Sequence, residues 1–422
     1  MSFIFFSLVA TQLVNTMNLL IFFMVVSLWL GSTKLHITSE VKKWSLIVIF
    51  VFCLLGLVPL IFHDASLEVW KNAFDKQVAV AVAVVCLSII LLKLKPNDFV
   101  LWIGILGSAL GLILVVGLEF YTVGDLVLAN YYRFGDLYGT STLVFGMIAN
   151  LLTAVFFGGV MWAVKHKQAK LALVFLLSVI FAIYSSLLTG TRGAWLGLPE
   201  ILIGWGVFFY FAYLKSRQWQ IKLGVLSLLI IISIFLFNVL GDKVQHRVGL
   251  AIDDVQQYIK GNPETSIGLR LVMYEVAIKE VIEHPLAGVG PHNVGPALMD
   301  GTRQVFQERF GLSREGFDSW DVHNQYLQEA FSKGFLGVFS LVFVQLYLLW
   351  FFIKRSSTQN IWATTGLIFV IASSINLMSY SWLRFHDGLF FYFIILTLLL
   401  YGASRTQDEQ NTFKPNLNMG HI

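Results

Sequence analysis

The reading of this chain turns on residues 241–334, GDKVQHRVGLAIDDVQQYIKGNPETSIGLRLVMYEVAIKEVIEHPLAGVGPHNVGPALMDGTRQVFQERFGLSREGFDSWDVHNQYLQEAFSKG. This is the only long segment without an apolar run of about 20 residues, the length a helix needs to cross a bilayer. It brings together His284, His292 and His323 with several arginines and many carboxylates. Almost everything on either side is hydrophobic. Chemistry in this chain is therefore expected here, held over an apolar bundle.

Inside the stretch, Gly261-Asn262-Pro263 breaks the chain and Thr265 or Ser266 can cap a helix. Ile267, Leu271, Tyr274, Ile278 and Val281 then follow helical spacing. His284-Pro285 ends that helix, because the residue before proline avoids helical geometry. Gly288 and Gly290 follow in a turn, and a polar stretch carries Arg303, Arg309 and Arg314. Asp318, Ser319 or Asp321 is placed to cap a second helix with His323, Leu327, Ala330, Gly334 and Gly337 on one face. That helix is expected to run straight into the next apolar span.

Outward from this stretch, composition sets the class. The chain has 422 residues, 57% of them hydrophobic and 13% charged, with a mean hydropathy of +0.74. A soluble domain carries about 25% charged residues. The expectation is an all-α polytopic membrane protein. Apolar runs lie near 3–30, 44–62, 77–93, 98–118, 139–163, 171–188, 194–214, 223–240, 335–353, 360–380 and 388–402. That makes eleven transmembrane helices, or twelve if 3–30, with Asn15, Thr16 and Asn18 at its centre, folds as a hairpin. Four regions follow: an N-terminal bundle (1–240), the large helical loop (241–334), C-terminal spans (335–402) and a polar tail (403–422). The first 30 residues lack a basic leading segment and are not read as a cleavable signal. Cys53 and Cys86 lie inside apolar runs and read as small buried hydrophobes.

The short loops carry an alternating charge pattern. Lys34, Lys42 and Lys43, then Lys93 and Lys95, then Lys165, Lys167 and Lys170, then Lys215, Arg217 and Lys222, then Lys354 and Arg355 mark one side. Of the segments between them, 63–76 is mixed, 119–138 is acidic and the turn at 189–193 has only Arg192. The positive-inside rule puts the basic set in the cytoplasm. The large loop, the Arg192 turn and the turn at 381–387 are then external. The net charge of +4 reflects these loops and gives no reason to expect a nucleic-acid partner.

Candidate chemistry gathers on the external side. Arg192 stands in Thr189-Gly190-Thr191-Arg192-Gly193-Ala194-Trp195, a tight turn between two apolar runs, where a charge is costly unless it serves a purpose. Arg270 shares a helix face with Tyr274. His323, with Asn324 beside it and Asp321 two residues before, is the natural proton acceptor near neutral pH. His284 and His292 are weaker cases. Arg384, Arg133 and Arg303 complete a one-sided arginine set, although Arg384 is also within local reach of Asp387. Arginine forks suit a diphosphate. The sequence holds no HExxH, no P-loop and no GxGxxG.

Four motifs then occur in order: Leu188 to Trp195, Ser266 to Glu275, Pro285 to Gly290, and His323-Asn324 followed by Gly334 and Gly337. In this combination the chain resembles the O-antigen ligase family, which also takes in O-antigen polymerases and bacterial protein O-oligosaccharyltransferases. The resemblance implies a GT-C type membrane glycosyltransferase, inverting and metal-independent, in a bacterial inner membrane with its site facing the periplasm. It implies an undecaprenyl-diphosphate-linked O-antigen donor and a lipid A-core acceptor. By position, Arg192 and Arg270 match the motif arginines and His323 the motif histidine, while Arg303 is only loosely placed. Tyr274 stands where many relatives have Trp. A polymerase, a protein oligosaccharyltransferase and, in a different class, a lipid-glycan transporter stay open at this point.

Overall fold

The computed structural model describes residues 61–63, 66–128, 134–135, 141–215, 245, 248–313 and 318–405. Among them the chain is helical and without strands. Its elements are α1 (Leu67–Leu94), α2 (Asp98–Leu128), α3 (Thr142–Lys165), α4 (Ala169–Leu188), the single turn α5 (Arg192–Trp195) and α6 (Leu198–Phe209). Then come α7 (Ser266–Glu283), α8 (Val294–Phe310), α9 (Gln325–Arg355), α10 (Ile361–Ser379) and α11 (His386–Ser404). A helical segment also covers 248–259.

Seven of the described helical segments are long and apolar enough to cross a membrane. They are Asp98–Gly124, Thr142–Lys165, Ala169–Leu188, Arg192–Leu214, Gln325–Arg355, Ile361–Ser379 and His386–Ser404. The expected span 77–93 corresponds to the apolar part of α1, Ala79–Leu94. The expected spans 3–30 and 223–240, and 44–62 apart from its last two residues, lie outside the described residues. The chain is an all-α, multi-pass membrane protein.

Connectivity sorts the helix ends into two faces. One holds the end of α1, the start of α2, the α3–α4 turn, the α9–α10 turn and the end of α11. The other holds the ends of α4 and α10, the starts of α3 and α11, and residues 248–313 and 318–324, which include α7 and α8. Between the faces, α3, α10 and α11 are buried through most of their length. Tryptophans crowd the core near the first face: Trp102 stacks on Trp362 at 4.0 Å between ring centroids.

The first face is also clasped by charge. The Asp98 carboxylate, at the start of α2, accepts from the Arg405 guanidinium just past α11 and from Trp362 Nε1 of α10 at 3.1 Å. Arg405 also donates to Pro96 O (3.1 Å). The second face has its own small core: Met273, Val276 and Ala277 of α7 against Val294 and Leu298 of α8, with Val289, Val322 and Phe331.

Three details depart from the sequence reading. The buried residues of α7 are Gly268, Val272, Met273, Val276 and Ala277, not the stripe through Ile278, which is half-exposed at 50%. The polar stretch around Arg303 is helix α8, carried by a narrow buried line of Val294, Leu298, Thr302 and Phe306. The helix after His323 is capped by Asn324, whose side chain accepts from Leu327 N at 3.1 Å. His323 therefore precedes the helix instead of lying on it. As expected, α9 does run from the loop into the bundle.

Candidate functional site

The Arg192 turn is built from small residues because neighbouring helices press on its backbone. Thr189 closes α4 by donating to Ser186 O (2.7 Å) and then accepts from Thr191 N (3.1 Å). Gly190 takes a positive φ of 62°, which costs glycine nothing. Asn150 of α3 donates to Ala194 O (2.7 Å), and Ser379 of α10 donates to Gly193 O (3.1 Å). A Cβ on Gly193 would come within 2.6 Å of Ser379 Oγ. The turn is thereby fixed between α3 and α10, and Arg192 leaves it at the second face. Its guanidinium lies 3.6 Å from Asp254 of the segment 248–259.

Arg270 arrives from the loop. Thr265 caps α7 by accepting from Gly268 N (3.0 Å), which sets Arg270 in the second turn with Tyr274 one turn further on. Arg270 is half-buried. Desolvation is the main influence lowering its pKa; the charge of Arg192 lowers it too, while Tyr274, Asp321 and Tyr380 oppose this. The two motif arginines thus share one electrostatic environment.

His323 is held in an unusual backbone state. Its φ is 60°, a left-handed conformation costing a non-glycine residue on the order of 1 kcal/mol or more. The surroundings hold it there. Asp321 Oδ1 accepts from His323 N (2.8 Å), Gln328 Oε1 accepts from Val322 N (2.9 Å), and Tyr274 Oη donates to His323 O (3.2 Å). The imidazole packs on Tyr380, at the end of α10, with 5.2 Å between ring centroids. Burial lowers the His323 pKa; Asp321 pulls it up and Arg270 pushes it down. A neutral imidazole at pH 7 is the consequence. Burial and the Asp321 charge push the Tyr380 phenol well above its ordinary value.

The loop is locked to the bundle where two of the motifs meet. Gly334 breaks α9 at φ 63°, ψ −152°. Phe331 O and Ser332 O are then free to accept from Val289 N (2.9 Å) and Gly290 N (3.1 Å), and Phe335 N donates to Pro285 O (2.7 Å). A Cβ on Gly334 would lie 2.4 Å from the carbonyl carbon of Leu286, and one on Gly288 would lie 2.5 Å from Phe331 O. The Pro285–Gly290 motif is therefore the partner strip of the Gly334 kink, and it sets where α9 bends.

The expected site residues fall into two groups. Arg192, Arg270, Tyr274 and His323 come together, and Arg384 joins them: it is half-buried, and its opposing attractions are Asp321 and Tyr380. Arg303 does not join; it is exposed and donates to Asp300 of its own helix (3.0 Å). Asn324 serves as the cap of α9, and its side chain also bonds toward Tyr274. Arg133 lies outside the described residues. His284 is exposed beside Glu280, and His292 sits 6.3 Å from His63 between ring centroids. Among the described residues Glu280, Glu283 and His284 are close enough to hold a cation, but they lie at the exposed far end of α7. Asp254, Asp321 and Tyr380 stand beside these residues without belonging to the expected set. Nothing in sequence marks Asp254 or Tyr380, whereas the spacing of Asp321 from His323 was visible.

Residues 177–342 match the family described as O-antigen ligase. The chain is 29% identical over 235 residues to an uncharacterized protein of Haemophilus influenzae, covering 54% of this chain and 56% of that protein. It is 23% identical over 266 residues to an O-antigen ligase of Escherichia coli strain K12, covering 63% of this chain and 58% of that protein. The chain thus spans a little over half the length of each of these relatives, and the family match over residues 177–342 contains Arg192, Arg270 and His323.

Proposed function

We propose, from the match of residues 177–342 to the family described as O-antigen ligase, that this chain is itself a ligase. It would transfer O-antigen polysaccharide from undecaprenyl diphosphate to a terminal sugar of lipid A-core, at the periplasmic face of a bacterial inner membrane. The observation that carries the reading is the convergence of Arg192, Arg270 and His323 from three separate elements onto one face of the bundle.

In this reading the acceptor hydroxyl attacks the anomeric carbon while the lipid diphosphate leaves from the opposite side, inverting configuration. Arg192 and Arg270 stabilise charge growing on the diphosphate, as preorganised donors do in other anion-stabilising sites. His323, neutral near pH 7, takes the hydroxyl proton. No residue in this scheme calls for a metal. The basic loops on the first face, Lys165 to Lys170 and Lys354-Arg355, support a cytoplasmic placement for that face and an external one for the site.

The test is reconstitution. Purified protein is mixed with undecaprenyl-diphosphate-linked O-antigen and rough lipopolysaccharide in EDTA. A glycan ladder on lipid A-core is expected, lost in Arg192→Ala and Arg270→Ala. Growth of the lipid-linked glycan without transfer to lipid A-core would replace this reading with a polymerase.

A further inference from the structure

Asp321 is buried, at 8% exposure, and its two oxygens do different things. Oδ1 accepts from His323 N at 2.8 Å. Oδ2 has no hydrogen-bond partner among the described residues and lies 3.9 Å from His323 Nδ1, which is equally buried and equally without one. An acceptor and a potential donor thus face each other, slightly too far apart to bond. Catalytic hydrogen bonds are commonly long before substrate binds and tighten afterwards. The backbone gives His323 little freedom to escape this partner: Asp321 and Tyr274 hold it from both sides, and Tyr380 packs on its ring. The same carboxylate attracts Arg270 from α7 and Arg384 from the turn before α11, and the phenols of Tyr274 and Tyr380 also face it.

We propose that Asp321 is a positioning residue for glycan transfer: it receives the Nδ1–H of His323, leaves Nε2 as the base that meets the acceptor hydroxyl, and holds Arg270 and Arg384 beside it. The inference rests on the ligase reading for the identity of the reaction, but not for the state of the histidine. In the step itself the acceptor oxygen bonds to the anomeric carbon as the bond from that carbon to the diphosphate oxygen breaks. The electron pair leaves with the diphosphate, and the hydroxyl proton passes to Nε2. Asp321 stabilises the imidazolium so formed and does not take the proton, as in other carboxylate–histidine pairs.

Two measurements on the full-length protein test this. The first is the tautomer of His323 by nitrogen NMR of histidine-labelled protein, its signal assigned by loss in His323→Gln. A neutral ring protonated at Nδ1 is expected above pH 7, and a ring protonated at Nε2 overturns the proposal whether or not any glycan is transferred. The second is Asp321→Asn, whose amide oxygen still accepts from His323 N and so keeps the turn. Its kcat is expected to fall about 100-fold, with the acid limb of kcat/KM moved to lower pH because the charge favouring the imidazolium is gone. Asp321→Glu should recover part of the rate. Wild-type kcat and an unmoved acid limb in Asp321→Asn would reject the idea. A wild-type protein that transfers nothing counts against the ligase reading alone.

Discussion

Arg270 brings a planar fork of donors to the candidate site, and in the proposed reaction the fork counts for more than the charge. Lysine offers a compact point charge that cannot grip a diphosphate in two places. Arg270→Lys should therefore fall nearly as far as Arg270→Ala, on the order of 100-fold or more in transfer rate, with normal amounts of protein in the membrane. A lysine variant near wild-type rate would show that only charge is used. His323 gives a pH prediction. Burial makes its folded pKa lower than the unfolded value of about 6.5, so the neutral base persists as pH falls through 7. The acid limb of kcat/KM should have its midpoint below 6.5, and a midpoint above it would contradict the buried setting. The same sign applies to stability. The unfolded histidine takes up a proton where the folded one resists, so folding weakens as pH drops below about 6.5.

At the scale of elements, the Gly334 kink is what aligns loop and bundle. Its backbone angles lie in a region open almost only to glycine, and its Cα faces the Leu286 carbonyl with no space for a methyl group. Gly334→Ala is expected to cost at least 1–3 kcal/mol and to change the angle between the turns of α9 before and after the kink, taking His323 out of place. Gly311 makes the comparison. It also has positive φ, at 64°, but a Cβ there meets nothing within 4 Å, so Gly311→Ala should cost only about 1 kcal/mol and keep transfer. Melting temperatures in detergent decide between them, and equal losses would mean that the contact at Leu286 has no energetic weight. Asn324 belongs at this scale too. Its cap contributes about 1 kcal/mol, which Asn324→Ser should largely retain.

For the whole molecule, the two faces of the bundle do different work. The first is tied by the Asp98–Arg405–Trp362 clasp, which joins the start of α2 to the start of α10 and the end of α11. Arg405→Ala leaves a buried carboxylate without its counter-charge and should cost about 3–5 kcal/mol, read as lost thermal stability while Arg192 and His323 stay untouched. The second face carries the candidate site. With the native cysteines replaced, Asp300→Cys should react with a membrane-impermeant maleimide in intact cells, and Gln359→Cys should react only after the membrane is broken. The reverse pattern would invert the topology.

Sequence alone determined the class of this protein and named several of the residues that the fold brings together. Runs of 20 apolar residues cannot be stored in a small soluble core, so hydropathy places the spans directly; the side-chain types at Arg192, Arg270 and His323 announce their chemistry through cost and pKa. What sequence did not decide was which arginines converge. Arg303 and Arg384 look alike in composition, yet Arg303 turns to a carboxylate on its own helix while Arg384 turns to one more than sixty residues away. Nor did it fix the buried face of α7, since Ile278 is as hydrophobic as Val276 and only the position of α8 selects between them. The polar helix α8 escaped because one narrow apolar line gives a weak periodic signal. The strained geometry of His323, its contact with Tyr380 and its pairing with Asp321 depend on α7, α9 and α10 meeting at one point, and that meeting is a property of the packed molecule.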